Sequence, residues 1–210
     1  MQPENTTHVE VQALVSNNTK VLITHFENKS YVEVTLGTGD EPSALTGNDG
    51  LKLAAAAKTA LEQRIPLVCY LNSSGAPPES GVEALHGWGS AASQISACSG
   101  IIPTIFCVQQ TALAGPALLL GLADFVIMVK NSYSYVNGPR MVQEFTGVPI
   151  DHETLGGAAK HAQMSGLASF VAHSAESASE IIAELIFLLP LSSSASPTQI
   201  PCDDTPDRKL

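Results

Sequence analysis

The sequence predicts an α/β domain built on a mainly parallel sheet. Short apolar strands alternate with helical segments between residues 49 and 129. These strands are apolar on both faces, which is typical of strands covered by helices on both sides. At 210 residues the chain suits one domain and is long enough to bury a substantial core.

The first half begins with strands and continues with β–α repeats. β-Branched residues at alternate positions predict an antiparallel meander at residues 8–15, 20–27 and 30–36. An alanine-rich helix follows at 49–64, with Asn48 or Asp49 expected to cap it. Further strands are expected at 66–72, 103–110 and 124–129, and helices at 81–97 and 116–122.

The second half has shorter elements. Pro139 in a first turn and Gly147 just past the end predict a short helix at 138–147. A helix leading to a short strand is expected at 155–172, and an amphipathic helix at 175–189. The Ser- and Pro-rich residues 191–210 predict a linker or disordered tail, so the domain itself is expected to cover residues 1–190.

Composition narrows the classes of function. Charged residues make up 14% of the chain and hydrophobic residues 44%, which favours extensive burial. A net charge of −10 with no Lys or Arg cluster argues against a nucleic-acid surface. The polar, acidic N-terminus does not resemble a secretory signal, and the longest apolar stretch, residues 117–129, is too short to span a bilayer. We therefore expect a cytoplasmic protein.

The cysteines indicate structural thiols. Cys69, Cys98, Cys107 and Cys202 form no C-x-x-C pair and have no metal-like spacing with histidine. We expect reduced thiols and no metal site.

Three loops after predicted parallel strands are the candidates for ligand binding, because ligands usually lie at that end of an open α/β sheet. They are residues 72–80, the Ala114-Gly115-Pro116 turn, and the Gly138-Pro139 step. Each is also compatible with an ordinary turn made of small residues. A turn that opens a helix leaves backbone N–H groups unpaired, however, and such groups can hold a carbonyl oxygen as it becomes negative.

The three loops together resemble those of the carboxyltransferases of biotin-dependent acyl-CoA carboxylases and their decarboxylase relatives. The similarity covers residues 36–189 and includes the Gly-Pro after a strand, the Thr-Gly, the Leu-Gly-Gly and the His-x-x-x-Ser-Gly elements. The final CDDTPDRKL also resembles the linker between the two halves of that family. A single N-terminal, or N-type, domain of the propionyl- or acetyl-CoA carboxylase beta-subunit kind is indicated.

The resemblance implies a crotonase-like (ClpP/crotonase) fold of repeated β-β-α units. It also implies that the domain binds acyl-CoA and transfers a carboxyl group from carboxybiotin to the α-carbon of the acyl group. Biotin would be carried on a partner protein, and a C-terminal, or C-type, half would complete the site. Trimers or stacked trimers are the oligomers that the family implies.

Site residues follow from the same resemblance. Ala114 and Gly115 stand where the family has Gly-Gly, so their N–H groups are the candidate donors to the enolate oxygen. Residues expected to bind substrate are Ser73, Ser74, Gly75, Ala76, Gly138 and Pro139.

The chain departs from the family pattern at three positions. Ser74 replaces a glycine, Pro77 replaces an arginine, and Pro116 follows the oxyanion turn directly. Losing the arginine removes a rigid hydrogen-bonding fork. This loss argues against ordinary carboxyl transfer but is compatible with CoA binding. The sequence also lacks the four-cysteine zinc ribbon of the bacterial acetyl-CoA type, so a propionyl-type or specialised-metabolism relative fits better.

Other titratable residues have simpler explanations. His86 and His161 are expected to pack structurally, and Glu79 and Glu83 to lie in a solvated first helical turn. Two alternatives to the carboxyltransferase half therefore stay open. One is a stand-alone crotonase-like decarboxylase or thioesterase that needs no biotin, and the other is a non-catalytic binding or assembly subunit.

Overall fold

One mixed sheet organises the part of the chain that the structure, a computed structural model, describes: residues 6–10, 18–37, 39 and 41–199. Its main order is β1-β2-β3-β5-β6-β7-β9, with β4 beside β5 and β8 beside β6. The strands are β1 (Thr6–Glu10), β2 (Thr19–Phe26), β3 (Lys29–Leu36), β4 (Ser43–Ala44), β5 (Leu67–Gly75), β6 (Thr104–Leu113), β7 (Phe125–Val129), β8 (Tyr133–Tyr135) and β9 (Phe170–Ala172).

Helices cover both faces of this sheet. They are α1 (Gly47–Gln63), α2 (Gly81–Cys98), α3 (Gly115–Leu119), α4 (Pro139–Thr146), α5 (His152–Gly156), α6 (Ala158–Lys160) and α7 (Ala175–Leu188). Short 3₁₀ turns precede α2 and follow α3, and a π-helical turn at His161–Ser165 follows α6. None of these helices is long and apolar enough to cross a membrane.

The predicted order of elements is confirmed. β1, β2 and β3 pair antiparallel as a meander, and β3, β5, β6, β7 and β9 then pair parallel. β1 begins at Thr6, two residues earlier than expected, while residues 11–15 of the predicted strand lie outside the described residues. The antiparallel meander followed by parallel strands gives the mixed sheet that the sequence indicated.

The N-terminus of α1 corrects the predicted cap. Thr46, not Asn48 or Asp49, is the N-cap, and its side chain accepts a hydrogen bond from the Asp49 N–H. The Asp49 carboxylate in turn accepts hydrogen bonds from the Thr46 N–H and from the Thr19 hydroxyl, the latter at 2.8 Å. Asp49 is therefore the second half of a capping box and also ties α1 to β2.

Two apolar cores lie on opposite faces of the sheet. The larger one packs α1 and α2 on the strands around Leu53, Ile95 and Phe106, which are buried. The smaller one packs α7 on the other face through Ile182 and Ile186. Lys29 secures the end of α7, because its ammonium group donates to the carbonyl oxygens of Ile186, Phe187 and Leu189 at 2.7–2.9 Å.

Helices α1 and α2 approach each other through glycines. A Cβ on Gly87 would lie 2.3 Å from the Gly47 carbonyl oxygen, and one on Gly50 would lie 2.3 Å from the Gly87 carbonyl carbon. The backbones therefore touch where side chains would normally separate them. This contact fixes α2, which carries part of the candidate site, against the rest of the domain.

The single helix expected near residues 155–165 is instead broken. Gly157 is extended (φ −67°, ψ 158°) between α5 and α6, and a bridge pairs it with Tyr133. Gly156 is equally confined, since a Cβ there would lie 2.1 Å from the Ser134 carbonyl oxygen. The Gly-Gly pair allows the chain to pass close to β8, at the cost of helix continuity.

Residues 191–199 contact the domain. The Ser193 N–H donates to the Ile101 carbonyl oxygen at 2.8 Å, and the Thr198 hydroxyl donates to the Phe187 carbonyl oxygen at 2.7 Å. Residues 200–210, which include Cys202 and the linker-like CDDTPDRKL stretch, lie outside the described residues. The predicted boundary after residue 190 stays a prediction.

Two glycines of α2 test the close helix contact. We expect Gly87→Ala to destabilise the protein by about 1–3 kcal/mol, because its methyl group meets backbone atoms of Gly47. Gly89→Ala is the matched control: a Cβ there meets nothing within 4 Å, so greater helix propensity should stabilise the protein by up to about 1 kcal/mol. Urea denaturation measures both, and equal effects of the two substitutions would contradict the close contact.

Candidate functional site

Two of the three candidate loops, residues 72–80 and the Ala114-Gly115-Pro116 turn, meet where β5 and β6 end side by side. Ser73 of β5 is in register with Ala112 of β6, so the residues that follow leave the sheet at the same edge. Gly75 then lies directly against Ala114, since a Cβ on Gly75 would be 3.1 Å from the Ala114 Cβ. The sheet therefore brings together two segments that are 39 positions apart in sequence.

Ala114 has an unusual backbone conformation. Its φ of 55° and ψ of −119° resemble those of Gly81 (φ 47°, ψ −124°), but Ala114 carries a Cβ. The region is sparsely populated for residues other than glycine, and such strain costs of order 1–3 kcal/mol. An alanine in place of the glycine that the family has at this position is therefore strained.

The two predicted oxyanion donors differ in availability. The Ala114 N–H donates to the Tyr135 carbonyl oxygen at 3.0 Å, so it already has an acceptor. Gly115 is the first residue of α3, and its N–H has no acceptor within the described part of the chain. The expected pair of free donors is therefore reduced to one at this turn.

Trp88 of α2 holds the turn from the other side. Its Nε1 donates to the Gly115 carbonyl oxygen at 2.9 Å. A Cβ on Gly115 would lie 2.8 Å from Trp88 Cδ1, so the indole ring leaves room only for glycine. Glycine at this position is required by the packing of Trp88, which the sequence pattern alone did not show.

An apolar cavity, here called the Trp88 cavity, lies on the α2 side of the turn. Its volume is about 370 Å³, within the range of small-molecule sites. The lining consists of small and apolar residues: Leu45, Ala76, Pro77, Pro78, Gly81, Ala84, Leu85, Trp88, Gly115, Pro116 and Leu118. Pro116 and Pro77, two of the departures from the family pattern, both contribute to this apolar wall.

A second cavity of about 550 Å³, here called the Tyr135 cavity, lies on the opposite side of the Gly75–Ala114 contact. It is more polar and more open. Its lining residues come from the ends of β5, β6 and β8 and from α4 and α5: Ser74, Leu113, Ala114, Tyr135, Val136, Gly138, Pro139, Arg140, Gln143 and His152.

The predicted site residues thus divide between two adjoining cavities. Ser74, Ala114, Gly138 and Pro139 line the Tyr135 cavity, whereas Ala76 and Gly115 line the Trp88 cavity. Ser73 lines neither of them: it is fully buried, and its hydroxyl oxygen accepts a hydrogen bond from the Gly75 N–H at 3.3 Å. Its position supports the shape of the loop.

Sequence analysis missed three polar residues at the Tyr135 cavity. The Tyr135 hydroxyl and His152 Nδ1 share a hydrogen bond of 2.6 Å. The Tyr133 and Tyr135 rings stack, and the His152 ring contacts both of them at a tilt. Burial, with Tyr133 as a second cause, raises the pKa of Tyr135, which favours its neutral form. Arg140, which directly follows the Gly-Pro step, supplies a positive charge and pairs with Glu144 at 3.0 Å.

The expected structural packing is found for His161 and the described cysteines but not for His86, which is exposed. His161 Nε2 donates to the Ser134 carbonyl oxygen at 2.8 Å, which is the structural packing expected of it. His86 lies outside both cavities, at a shallow depression between α1 and α2. The three described cysteines are free and buried, and burial raises the pKa of Cys98 to about 11 and that of Cys107 to about 12.

A third cavity, the Glu33 cavity, lies on the opposite face of the sheet beside α7. It measures about 190 Å³, and Glu33, Tyr31, Tyr70 and Gln109 are among its lining residues. Burial is the main cause of a raised pKa at the Glu33 carboxyl, and the Thr24 hydroxyl donates to this carboxyl at 3.3 Å. No residue predicted for the site lies there.

Comparisons with known proteins identify the family of this chain. Residues 38–210 match the carboxyl transferase domain family. The propionyl-CoA carboxylase beta chain of Rhodococcus erythropolis is 40% identical over 128 residues, which are 60% of this chain and 27% of the relative. The methylmalonyl-CoA decarboxylase subunit alpha of Veillonella parvula is 32% identical over 157 residues, 74% of this chain and 30% of the relative. The chain thus spans less than a third of the length of these relatives.

A solved structure supports the fold. The transcarboxylase 12S crystal structure, with hydrolysed methylmalonyl-coenzyme A bound, superimposes with a TM-score of 0.86 at 21% identity. The superposition covers 97% of this chain and 43% of that chain. At this identity the likeness establishes the fold alone, and it confirms the predicted crotonase-like class.

Backbone strain at Ala114 predicts a stabilising substitution. We expect Ala114→Gly to raise the free energy of unfolding by about 1 kcal/mol, because relief of strain exceeds the entropic cost of glycine. Ala123→Gly is the control: Ala123 is extended with negative φ, so the same change should destabilise the protein by about 0.5–1 kcal/mol. Urea denaturation followed by fluorescence measures both, and destabilisation by both substitutions would contradict the strain.

The Glu33 carboxyl predicts a pH dependence of stability. Its pKa in the folded protein lies above the ordinary 4.5, so the folded state binds more protons than the unfolded state as pH rises through this range. Stability from this group is therefore greatest below about pH 4.5 and decreases as pH rises through the raised pKa. Glu33→Gln removes the effect.

Urea denaturation of the wild type and Glu33→Gln between pH 4 and 8 checks this expectation. The difference in unfolding free energy should shift in favour of the variant as pH rises. Glu62→Gln, which removes an exposed carboxylate from α1, controls for the change in net charge. A difference that stays constant with pH would refute the assignment.

Proposed function

The chain belongs to the carboxyl transferase domain family, and we propose that it is the acyl-CoA-binding, N-type half of a biotin-dependent acyl-CoA carboxyltransferase. It holds an acyl thioester while a carboxyl group is transferred to the α-carbon of the acyl group. The carboxyl group comes from biotin on a carrier protein, and a C-type half completes the site. The residues of this chain bind and orient the thioester and stabilise the enolate.

The observation that carries this proposal is the Ala114–Gly115 turn between two cavities. Carboxyl transfer requires an enolate, in which the thioester oxygen becomes negative. The Gly115 N–H is held in place and has no acceptor in the described residues, so it suits this oxygen. A preorganised backbone donor of this kind is worth about 3 kcal/mol in a transition state.

Gly75 and Ala76 complete the space around the oxygen. Gly75 contacts Ala114, and Ala76 lines the same cavity as Gly115, so the loop after β5 faces the turn. We assign to this loop a second backbone N–H contact to the thioester oxygen, beside the one from Gly115. The Ala114 N–H has the structural role of tying the turn to β8 through Tyr135.

The polar parts of the ligand are assigned to the Tyr135 cavity. The pantetheine arm has amide groups and the nucleotide carries phosphates, and this cavity offers Ser74, Gln143, the Tyr135–His152 pair and Arg140. Arg140 matters because the whole chain has a net charge of −10. A phosphate therefore needs a local positive group, and arginine binds it in a bidentate manner.

Exposed apolar residues around the Tyr135 cavity support a protein partner. α4 buries none of its residues, and its Phe145 side chain is 81% exposed. Val136, Met141 and Val148, which are near Phe145 in sequence, are also exposed. A patch of this kind is typical of an interface, and we assign it to the C-type half or to neighbouring subunits of an oligomer.

The three buried free thiols favour a reducing compartment such as the cytoplasm.

A decarboxylase is the second candidate. One relative is named methylmalonyl-CoA decarboxylase subunit alpha, and decarboxylation needs the same stabilised enolate as carboxyl transfer. Pro77 also removes the arginine expected for ordinary carboxyl transfer. In this case the thioester would lose CO₂ and take a proton at the α-carbon.

Incubation of the purified chain with malonyl-CoA and methylmalonyl-CoA separates the two candidates. We expect both thioesters to bind and to stay unchanged, because only one half of the site is present. Native mass spectrometry measures binding, and mass spectrometry of the thioesters detects turnover against a control without protein. Acetyl-CoA or propionyl-CoA above that control would instead favour a complete decarboxylase, and absence of binding would contradict both candidates.

Ser74→Phe locates the binding. Ser74 is exposed at the Tyr135 cavity, so a phenyl ring there should weaken binding of both thioesters at least tenfold without disturbing the core. Ser96→Phe, at an exposed position near the end of α2, should leave binding unchanged.

A further inference from the structure

We infer that the acyl group of the substrate is an apolar chain longer than three carbons, which occupies the Trp88 cavity. The inference rests on the proposed function, because it takes the Gly115 N–H as the contact to the thioester oxygen. It adds the chemical class of the acyl group, which that function leaves open.

The first argument is position. Gly115 lines the Trp88 cavity and also carries the free N–H at the turn. A thioester whose oxygen meets this N–H therefore has the cavity directly beside it. An acyl chain that leaves the carbonyl carbon on the α2 side enters the space between Trp88, Leu85 and Leu118.

The second argument is chemistry. The Trp88 Nε1 is the one hydrogen-bonding side-chain group among the lining residues, and it is already bonded to the Gly115 carbonyl oxygen. The cavity therefore offers a ligand no side-chain hydrogen bond and no charge. A carboxylated or hydroxylated chain would lose hydrogen bonds to water on entry, whereas a hydrocarbon chain would not.

The third argument is size. A methylene group takes about the space of one water molecule, roughly 30 Å³, so a two- or three-carbon acyl group leaves most of the 370 Å³ unfilled. Unfilled apolar space forfeits contact energy on all of its walls. A longer chain gains contact with Trp88, Leu85 and Leu118, the last two of which are 65% and 50% exposed.

The single tryptophan of the chain makes the inference directly measurable. Trp88 emission reports occupancy of the cavity, so CoA, acetyl-CoA, propionyl-CoA, hexanoyl-CoA and octanoyl-CoA are titrated against the purified chain. We expect Kd to fall by about two- to fourfold for each added methylene between three and eight carbons. The emission maximum should shift to the blue with hexanoyl-CoA and octanoyl-CoA.

A matched pair of variants on α2 controls for non-specific binding of hydrophobic ligands. Leu85→Gln places an amide in the cavity and should abolish most of the dependence on chain length. Val82→Gln changes a residue one turn earlier that is 80% exposed and does not line the cavity, so the dependence should remain. Both positions are exposed, so both variants are expected to fold.

Octanoyl-N-acetylcysteamine separates failure of this inference from failure of the proposed function. If native mass spectrometry shows that acetyl-CoA and octanoyl-CoA bind equally while Trp88 emission does not change, the inference is wrong and CoA binding stands. If no CoA compound binds but the octanoyl thioester shifts Trp88 emission, the cavity takes the acyl chain and the proposed function is wrong. A response to none of the ligands would overturn both.

Discussion

The candidate site depends on one turn that two hydrogen bonds hold from opposite sides. The Ala114 N–H donates to the Tyr135 carbonyl oxygen, and Trp88 Nε1 donates to the Gly115 carbonyl oxygen. The first bond connects the turn to β8, and the second connects it to α2. Because the turn is fixed at both ends, it holds Ala114 in the lining of the Tyr135 cavity and Gly115 in the lining of the Trp88 cavity.

Stability and function are linked through α2. α2, which carries Trp88, lies close against α1, and that contact requires Gly47, Gly50 and Gly87. The capping box at Thr46 and Asp49 fixes the start of α1 and ties it to β2. A chain of contacts therefore runs from the N-terminal meander through both helices to the turn. Strain at Ala114 persists because this surrounding structure determines its conformation.

Local patterns in the sequence were sufficient for much of the fold. Alternation of apolar residues located the meander, and the β–α order indicated the parallel sheet. Contacts between distant residues were not predictable in the same way. The cap of α1 was placed two or three residues late because the pattern did not show that Asp49 would bond to Thr19. Likewise, the sequence did not show that the Ala114 N–H donates to the Tyr135 carbonyl oxygen, because only the pairing of β6 with β8 brings Tyr135 near.

The site also shows why motif-based assignment of residues was incomplete. Matching to the family selected the backbone positions Ala114-Gly115 and Ser74-Gly75. It therefore overlooked side chains such as Arg140 and His152. In a chain with a net charge of −10, one arginine at the cavity rim is a considerable part of the local electrostatics. The other side of the turn has no such charge. An apolar wall and a polar rim that carries Arg140, on either side of one backbone donor, suit a ligand that is itself apolar at one end and anionic at the other, with a carbonyl group between them.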